Sequence, residues 1–208
     1  MSLHIVFDFG GVIGLGQPDG TLQALAAVAD VDDERFTERY WRFREAYDLG
    51  MDAADYWTAV AGVPSLSPAV VQRLTDRDVE CWTRLDRDTL DILHDLRSRR
   101  LPLTLLSNAP HAQADVVERM PELRDLFTDL VFSCRLGVAK PHPDSYAWTT
   151  RRIPSGSRIV FIDDRPENLD PSRLSGWTPI RFRSAARLRS DLGDLISEER
   201  GEAPRTLS

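Results

Sequence analysis

The chain has little cysteine, no surplus of positive charge and no long apolar run. Its two cysteines, Cys81 and Cys134, stand far apart and form no metal-ligand spacing, which excludes a zinc module and a disulfide-dense secreted scaffold. They read as reduced thiols of a cytoplasmic protein, with a disulfide between them as the alternative. Acidic residues outnumber basic ones by 33 to 26, and the net charge of −7 accompanies an isoelectric point near 5.1. Nothing offers a basic stripe for a phosphate backbone, so a nucleic-acid partner is not expected. No stretch approaches the ~20 apolar residues that a membrane helix needs. The N-terminal residues enter a strand pattern at once rather than a signal peptide, so no membrane association is expected either. Internal repeats and low-complexity segments are also lacking. There remain 208 residues of ordinary composition, 42% hydrophobic and 28% charged. That length supports one good core, or a core with a smaller insertion.

Five short apolar runs fit buried parallel strands: Leu3–Phe7, Leu103–Leu106, Leu130–Phe132, Ile159–Ile162 and Pro179–Phe182. Continuous hydrophobicity, rather than alternation, is the signature of a strand covered on both faces. Helical patterns over Thr89–Arg100, Ala112–Met120, Asp144–Arg152, Pro166–Leu174 and Ala185–Ile196 separate or follow the later runs. Strand alternating with helix implies an α/β fold with a doubly wound, Rossmann-like parallel sheet. From about residue 20 to 86 this rhythm breaks: no strand pattern occurs, but helical periodicity and many aromatics do, among them Phe36, Tyr40, Trp41, Tyr47, Tyr56, Trp57 and Trp82. Aromatics at helical spacing are mostly core residues. The break at residues 63–68 separates helices, with Ser67 positioned to cap the one that starts at Pro68. These patterns divide the chain into an α/β core over 1–16 and 87–197, a helical insertion over 17–86, and a disordered tail over 198–208.

In an open parallel sheet, ligands bind beyond the carboxyl ends of the strands. The residues just past each strand are therefore informative. Asp8-Phe9-Gly10-Gly11 stands after the first, Ser107-Asn108 after the second, Gly137-Val138-Ala139-Lys140 after the third and Asp163-Asp164 after the fourth. An acid, a hydroxyl, a lysine and an acid pair at one rim suit phosphoryl transfer. A carboxylate can attack phosphorus, a hard divalent cation held by carboxylates can neutralise the phosphate, and a lysine can hold the transferring oxygens. Gly10 and Gly11 permit the sharp turn and close backbone approach such a site requires. Each residue alone has a plainer explanation. Asp8 could cap a strand end, Ser107-Asn108 and Asp163-Asp164 could cap helices, and Lys140 could be a solvated loop residue.

The segments "VFDFGGVI", "LLSNA", "GVAKPHPDSY" and "VFIDDRPENL" resemble, in order, the four motifs of the haloacid dehalogenase superfamily. The insertion after the first strand resembles that superfamily's helical-cap class, and the resemblance runs from residue 3 to about 196. More narrowly, the chain is similar to sugar-phosphate phosphatases of the glucose-1-phosphatase type and to the phosphatase domain of epoxide hydrolases. The resemblance implies a nucleophilic Asp8, with Lys140 bridging it to the phosphate. It implies phosphate binding by the Ser107 hydroxyl and the Asn108 backbone. It also implies Mg²⁺ held by Asp8, Asp164 and the carbonyl of Gly10, with Asp163 as a direct or water-mediated partner.

Gly10 departs from the Asp-x-Asp pattern in which the second acid protonates the leaving group. General acid catalysis typically contributes ~10²–10⁴-fold, so its loss narrows the chemistry without abolishing it. Asp19, in the segment before the insertion, is a candidate stand-in, and His111, His142 and Arg165 lie near the rim without a role. Three functions are compatible with these residues: a magnesium-dependent phosphatase of a small phosphorylated metabolite such as a sugar phosphate, a haloacid dehalogenase-type hydrolase, or a weakened protein that binds a phosphometabolite. The acid pair Asp163-Asp164 favours the first, because dehalogenation needs no metal.

Overall fold

The computed structural model describes residues 2–199. Five parallel strands form one sheet in the order β3-β2-β1-β4-β5: β1 Leu3–Phe7, β2 Leu103–Ser107, β3 Asp129–Phe132, β4 Arg158–Asp163 and β5 Thr178–Arg181. The chain starts in the middle of the sheet and builds outward in both directions. Strand order therefore reverses between β1 and β4, where a doubly wound sheet opens its crevice. Four of the strands differ by one or two residues from the apolar runs: Ser107, Asp129, Arg158 and Asp163 still pair in register although they are polar, and β5 is shifted by one residue to Thr178–Arg181. Sheet pairing is a backbone property and does not end where hydrophobicity ends.

The two-residue alternation of β-structure sorts the side chains into two cores. Leu3, Ile5 and Phe7 of β1 join Leu103, Leu105, Val160 and Ile162 on one face. Helices α5 (Arg87–Ser98) and α10 (Ala185–Glu199) cover that face with Ile92, Leu93, Leu96, Leu188 and Leu192. Val6, Leu106, Val131, Ile159 and Phe161 face the other way, under Tyr146 of α8 (Pro143–Thr150) and Leu169 of α9 (Pro166–Leu174). Helix α10 runs past Ile196 to Glu199; the expected tail from residue 200 onward lies outside the described residues.

Between β1 and α5 the chain forms four helices: α1 Thr21–Ala29, α2 Asp33–Asp48, α3 Ala53–Ala61 and α4 Pro68–Trp82. Asp32, Asp52 and Ser67 cap α2, α3 and α4 by accepting backbone N–H bonds, and Pro68 occupies the first turn of α4. Leu25, Phe36, Tyr40, Tyr47, Tyr56, Trp57, Val60 and Leu74 form a core of their own. Tyr47 and Tyr56 stack at 4.0 Å within it. Trp41 departs from the aromatic-core pattern and is 51% exposed. The two chain segments joining this helical layer to the sheet are tied together, Leu15 N–H donating to Arg84 C=O and Asp86 N–H to Ile13 C=O.

Two further helices precede β3 and follow it: α6 (His111–Arg119) and the single turn α7 (Ser133–Leu136). The short α7 was not legible as a helix, because four residues carry too little periodicity to register.

Candidate active site

Asp8 immediately follows β1, so the buried strand delivers its carboxylate to the sheet's carboxyl rim. Its Oδ1 accepts the Phe9 N–H at 2.6 Å and the Lys140 ammonium at 2.8 Å. Lys140 reaches the same point from the loop after α7, buried to 1% side-chain exposure, and also donates to Asp163 Oδ2 at 2.7 Å. It is the one lysine among the 26 basic residues of the chain. The Phe161 ring lies 5.3 Å below the ammonium. Burial pulls Lys140 down, but Asp163 and Asp8 outweigh it and hold the ammonium above its ordinary range. Burial likewise pushes the Asp8 carboxyl up to about 8 against the pull of Lys140, with Asp163 adding to the rise.

The loop that carries Lys140 is fixed by Asn108. The Asn108 amide donates to the Lys140 carbonyl at 2.7 Å and accepts the Lys140 N–H at 2.9 Å. Ser107 is 1% exposed at the end of β2 and is not among the residues that line the cavity beside Asp8. Asp163 is fully buried. Its Oδ2 takes Lys140 and Asn168, and its Oδ1 takes Asn168 and the Arg165 N–H. These four bonds match the roughly four lone-pair sites of a carboxylate.

Oxygens of Asp8, Asp163 and Asp164 lie within 4.8 Å of one another, a spacing one cation can bridge. Asp164 Oδ1 is buried and has no hydrogen-bond partner, an orphan acceptor of the kind a hard divalent cation satisfies. The donor set therefore fits Mg²⁺. Gly11 makes room for this carboxylate: its φ is +73°, and a Cβ there would sit 2.6 Å from Asp164 Oδ2. Gly11→Ala adds a left-handed-region cost of roughly 1–2 kcal/mol and displaces Asp164. It is expected to weaken Mg²⁺ binding by about 10–100-fold, measured by calorimetric titration; unchanged affinity would remove Asp164 from the metal site.

Asp8, Gly10, Gly11, Asn108, Lys140, Asp164 and Arg165 line a cavity of about 240 Å³. The helical layer closes it with Trp41, Arg44, Asp48 and Trp82, of which the charged pair was not legible as part of the site. Arg44 is buried, donating to Asp48 Oδ1 at 2.8 Å, to Tyr40 Oη at 2.5 Å, to Asp78 Oδ2 at 3.2 Å and to Gln113 Oε1 at 3.3 Å. A signal did exist. Phe36, Tyr40, Arg44 and Asp48 recur every four residues, so the two charges continue the inward stripe of α2. Charged residues on a helix ordinarily mark its solvated face, which hid them.

The remaining candidates fall elsewhere. Asp19 lines a neighbouring groove with Trp41 and Trp82, outside the cavity. His142 caps α8, accepting the Asp144 N–H at 3.2 Å. His111 begins α6 and does not line the cavity.

Comparison with known proteins extends this picture. A family model described as haloacid dehalogenase-like hydrolase matches residues 3–175. Bifunctional epoxide hydrolase 2 of Rattus norvegicus is 31% identical over 90 residues, 43% of this chain, and the chain spans only 16% of that protein's length. A sesquiterpene phosphatase of Aspergillus oryzae is 21% identical over 192 residues, covering 92% of this chain and 95% of that one. A haloacid dehalogenase family enzyme of Bacteroides thetaiotaomicron, solved with magnesium and inorganic phosphate, superimposes with a TM-score of 0.61. Its identity is 18%, and the alignment covers 88% of this chain and 95% of that one. With four ordered motifs at one rim of a five-stranded parallel sheet and a family match over most of its length, the chain belongs to the haloacid dehalogenase-like hydrolases.

Proposed function

We propose that the protein is a magnesium-dependent phosphatase of a small phosphorylated metabolite, such as a sugar phosphate, acting in the cytoplasm through an aspartyl phosphate on Asp8. The observation that carries this reading is the convergence of Asp8, Lys140 and the unpartnered Asp164 oxygen on one cavity. The phosphatase among the relatives and the neighbour solved with magnesium and phosphate support it. Both cysteines are free, and no helix among the described residues is long and apolar enough to cross a membrane.

Asp8 attacks phosphorus. Lys140 orients its carboxylate and supplies positive charge to the phosphoryl oxygens as charge spreads over them. Asp163 holds Lys140 in place, and as the direct or water-mediated partner of a cation it would exchange one of its present hydrogen bonds for that contact. Asn108 keeps the lysine loop in place, with its backbone N–H beside the phosphate; the Ser107 hydroxyl, buried beneath the cavity rather than lining it, would have to rotate outward to join it. Asp8, Asp164 and the Gly10 carbonyl would hold Mg²⁺, which when bound neutralises the phosphate and allows the anionic nucleophile to approach. Trp41 and Trp82 line the cavity on the side of the helical layer, and its volume of about 240 Å³ is in keeping with a small substrate.

The protein should hydrolyse p-nitrophenyl phosphate or a sugar 1-phosphate in Mg²⁺ and stop in EDTA, while releasing no chloride from 2-haloacids. Activity that persists in EDTA would overturn the metal assignment, and chloride release would establish the dehalogenase instead.

A further inference from the structure

Gly10 leaves the proposed reaction without an acid beside the nucleophile. The indole of Trp82 occupies the adjoining space: a Cβ on Gly10 would meet its ring carbons at 3.6 and 3.8 Å. A proton for the leaving group must therefore come from elsewhere in the cavity. Its titratable lining residues are Asp8, Lys140 and Asp164, already engaged, together with Arg44, Arg165 and Asp48. Guanidinium groups do not give up a proton in proteins. One residue remains.

We infer that Asp48, the last residue of α2, is the general acid and base of this site, supplied by the helical layer in place of the acid missing at Gly10. The inference rests on the phosphatase reading above. Asp48 is anchored for such work. Its carbonyl accepts the Ser133 hydroxyl at 2.5 Å, and that hydroxyl oxygen takes the Ala109 N–H at 3.0 Å, which ties the end of α2 to the loop after β2. Its Oδ1 accepts Arg44 Nε at 2.8 Å, while Oδ2 accepts no hydrogen bond among the described residues. A carboxyl with one fixed and one free oxygen in the cavity can present a proton there.

The charge balance of the cluster places that proton on Asp48. Arg44 faces two carboxylates, Asp48 and Asp78. Asp78 is 1% exposed, and burial pushes its carboxyl up as well, but the bonds it accepts from Tyr40, Gln17 and Arg44 all favour its anion, whereas Asp48 has Arg44 alone on one oxygen. One buried cation does not neutralise both the buried Asp78 and the partly buried Asp48, and taking up a proton is the cheapest relief. Burial pushes the Asp48 carboxyl up, Arg44 pulls it back, Asp78 adds to the rise, and the net direction is upward. Tyr47 on the same helix, Tyr56 of α3, Cys134 of α7 and Arg165 from the loop after β4 are the other titratable groups that feel its charge.

In the first step an Asp8 oxygen bonds to phosphorus, and the phosphorus–oxygen bond to the leaving group breaks. The electron pair goes to that oxygen, which takes the Asp48 proton and departs as the alcohol. In the second step the Asp48 carboxylate removes a proton from water as the water oxygen bonds to phosphorus. The bond to Asp8 breaks, and inorganic phosphate leaves with Asp8 ionised and Asp48 protonated again.

The test is Asp48→Asn, assayed for kcat/KM on an alkyl phosphate and on p-nitrophenyl phosphate in Mg²⁺. The ratio does not depend on the fraction of protein that is active. We expect the alkyl phosphate to fall about 10²-fold further than p-nitrophenyl phosphate, whose leaving group needs little protonation. A stoichiometric burst of p-nitrophenol should appear as the second step becomes limiting. Equal falls for both substrates, or no fall, would overturn the assignment. If the variant does not fold, the unsubstituted protein decides. Alkyl phosphates turned over nearly as well as aryl phosphates support a proton donor, and a steep dependence on the leaving group rejects one. Absence of any Mg²⁺-dependent phosphatase activity would instead defeat the phosphatase reading and this role with it.

Discussion

Asp8→Asn is expected to lose on the order of 10⁴-fold or more in phosphatase kcat while melting no lower than the unsubstituted protein. The amide is nearly isosteric but cannot attack phosphorus, so no aspartyl phosphate forms. The stability expectation comes from linkage. The Asp8 carboxyl titrates near 8 in the fold, against 3.8 as its ordinary value, chiefly because burial disfavours the anion. A raised carboxyl binds its proton more tightly when folded, so its contribution is largest below 3.8 and declines as pH rises toward about 8. Asparagine keeps the neutral form at every pH, and Lys140 retains Asp163 as its partner. In metal-free buffer the melting temperature of the variant should therefore gain on the parent between those two pH values. Residual turnover after contaminant controls would mean another nucleophile; a large drop in melting temperature would mean that the Asp8–Lys140 pair outweighs the cost of burying Asp8.

Lys140→Ala should do the opposite to stability and cost activity as well. Removing the one lysine leaves Asp8 and Asp163 buried together without their shared cation. Breaking a buried ion pair from one side typically costs about 3–5 kcal/mol, which should appear as a lower urea midpoint. The ammonium's raised folded value means that its contribution is fully present below its ordinary value of 10.5 and is lost only above it, so neutral pH reports the whole effect. Turnover should fall by roughly 10²–10³-fold, the usual cost of one charge-stabilising donor. Folded protein with near-normal kcat would show that the lysine is structural and that the phosphate is held by other donors.

Asp8 was legible as a candidate because it sits where a strand ends, and Lys140 because it lies in a motif between the third and fourth strands. Asp8 terminates a run of five buried residues, and Asp163 terminates another. The motif containing Lys140 is local, and its being the sole lysine in an arginine-rich chain was a further mark in plain view. Local pattern likewise carried the α/β class, the parallel sheet and the helical segment after β1, because strand and helix periodicities are properties of neighbouring residues. Short or marginal elements escaped, as α7 did.

The sequence by itself determined which residues could perform phosphoryl chemistry, and that Gly10 could not donate a proton. Only the tertiary structure decided what surrounds them. Arg44, Asp48, Asp78 and Gln113 come from three helices separated by up to 69 positions, yet meet in one hydrogen-bonded cluster over the catalytic rim. No spacing along the chain encodes that meeting. It depends on how the helical layer docks on the sheet, which Ser133 and Gln113 fasten from the core side. The same docking sets Trp82 beside Gly10, so a glycine that reads as an empty position in the sequence borders an indole in the fold. Hydrophobic periodicity reports which face of an element is buried, but not which partner buries it, and the site's charge balance lies in the partner.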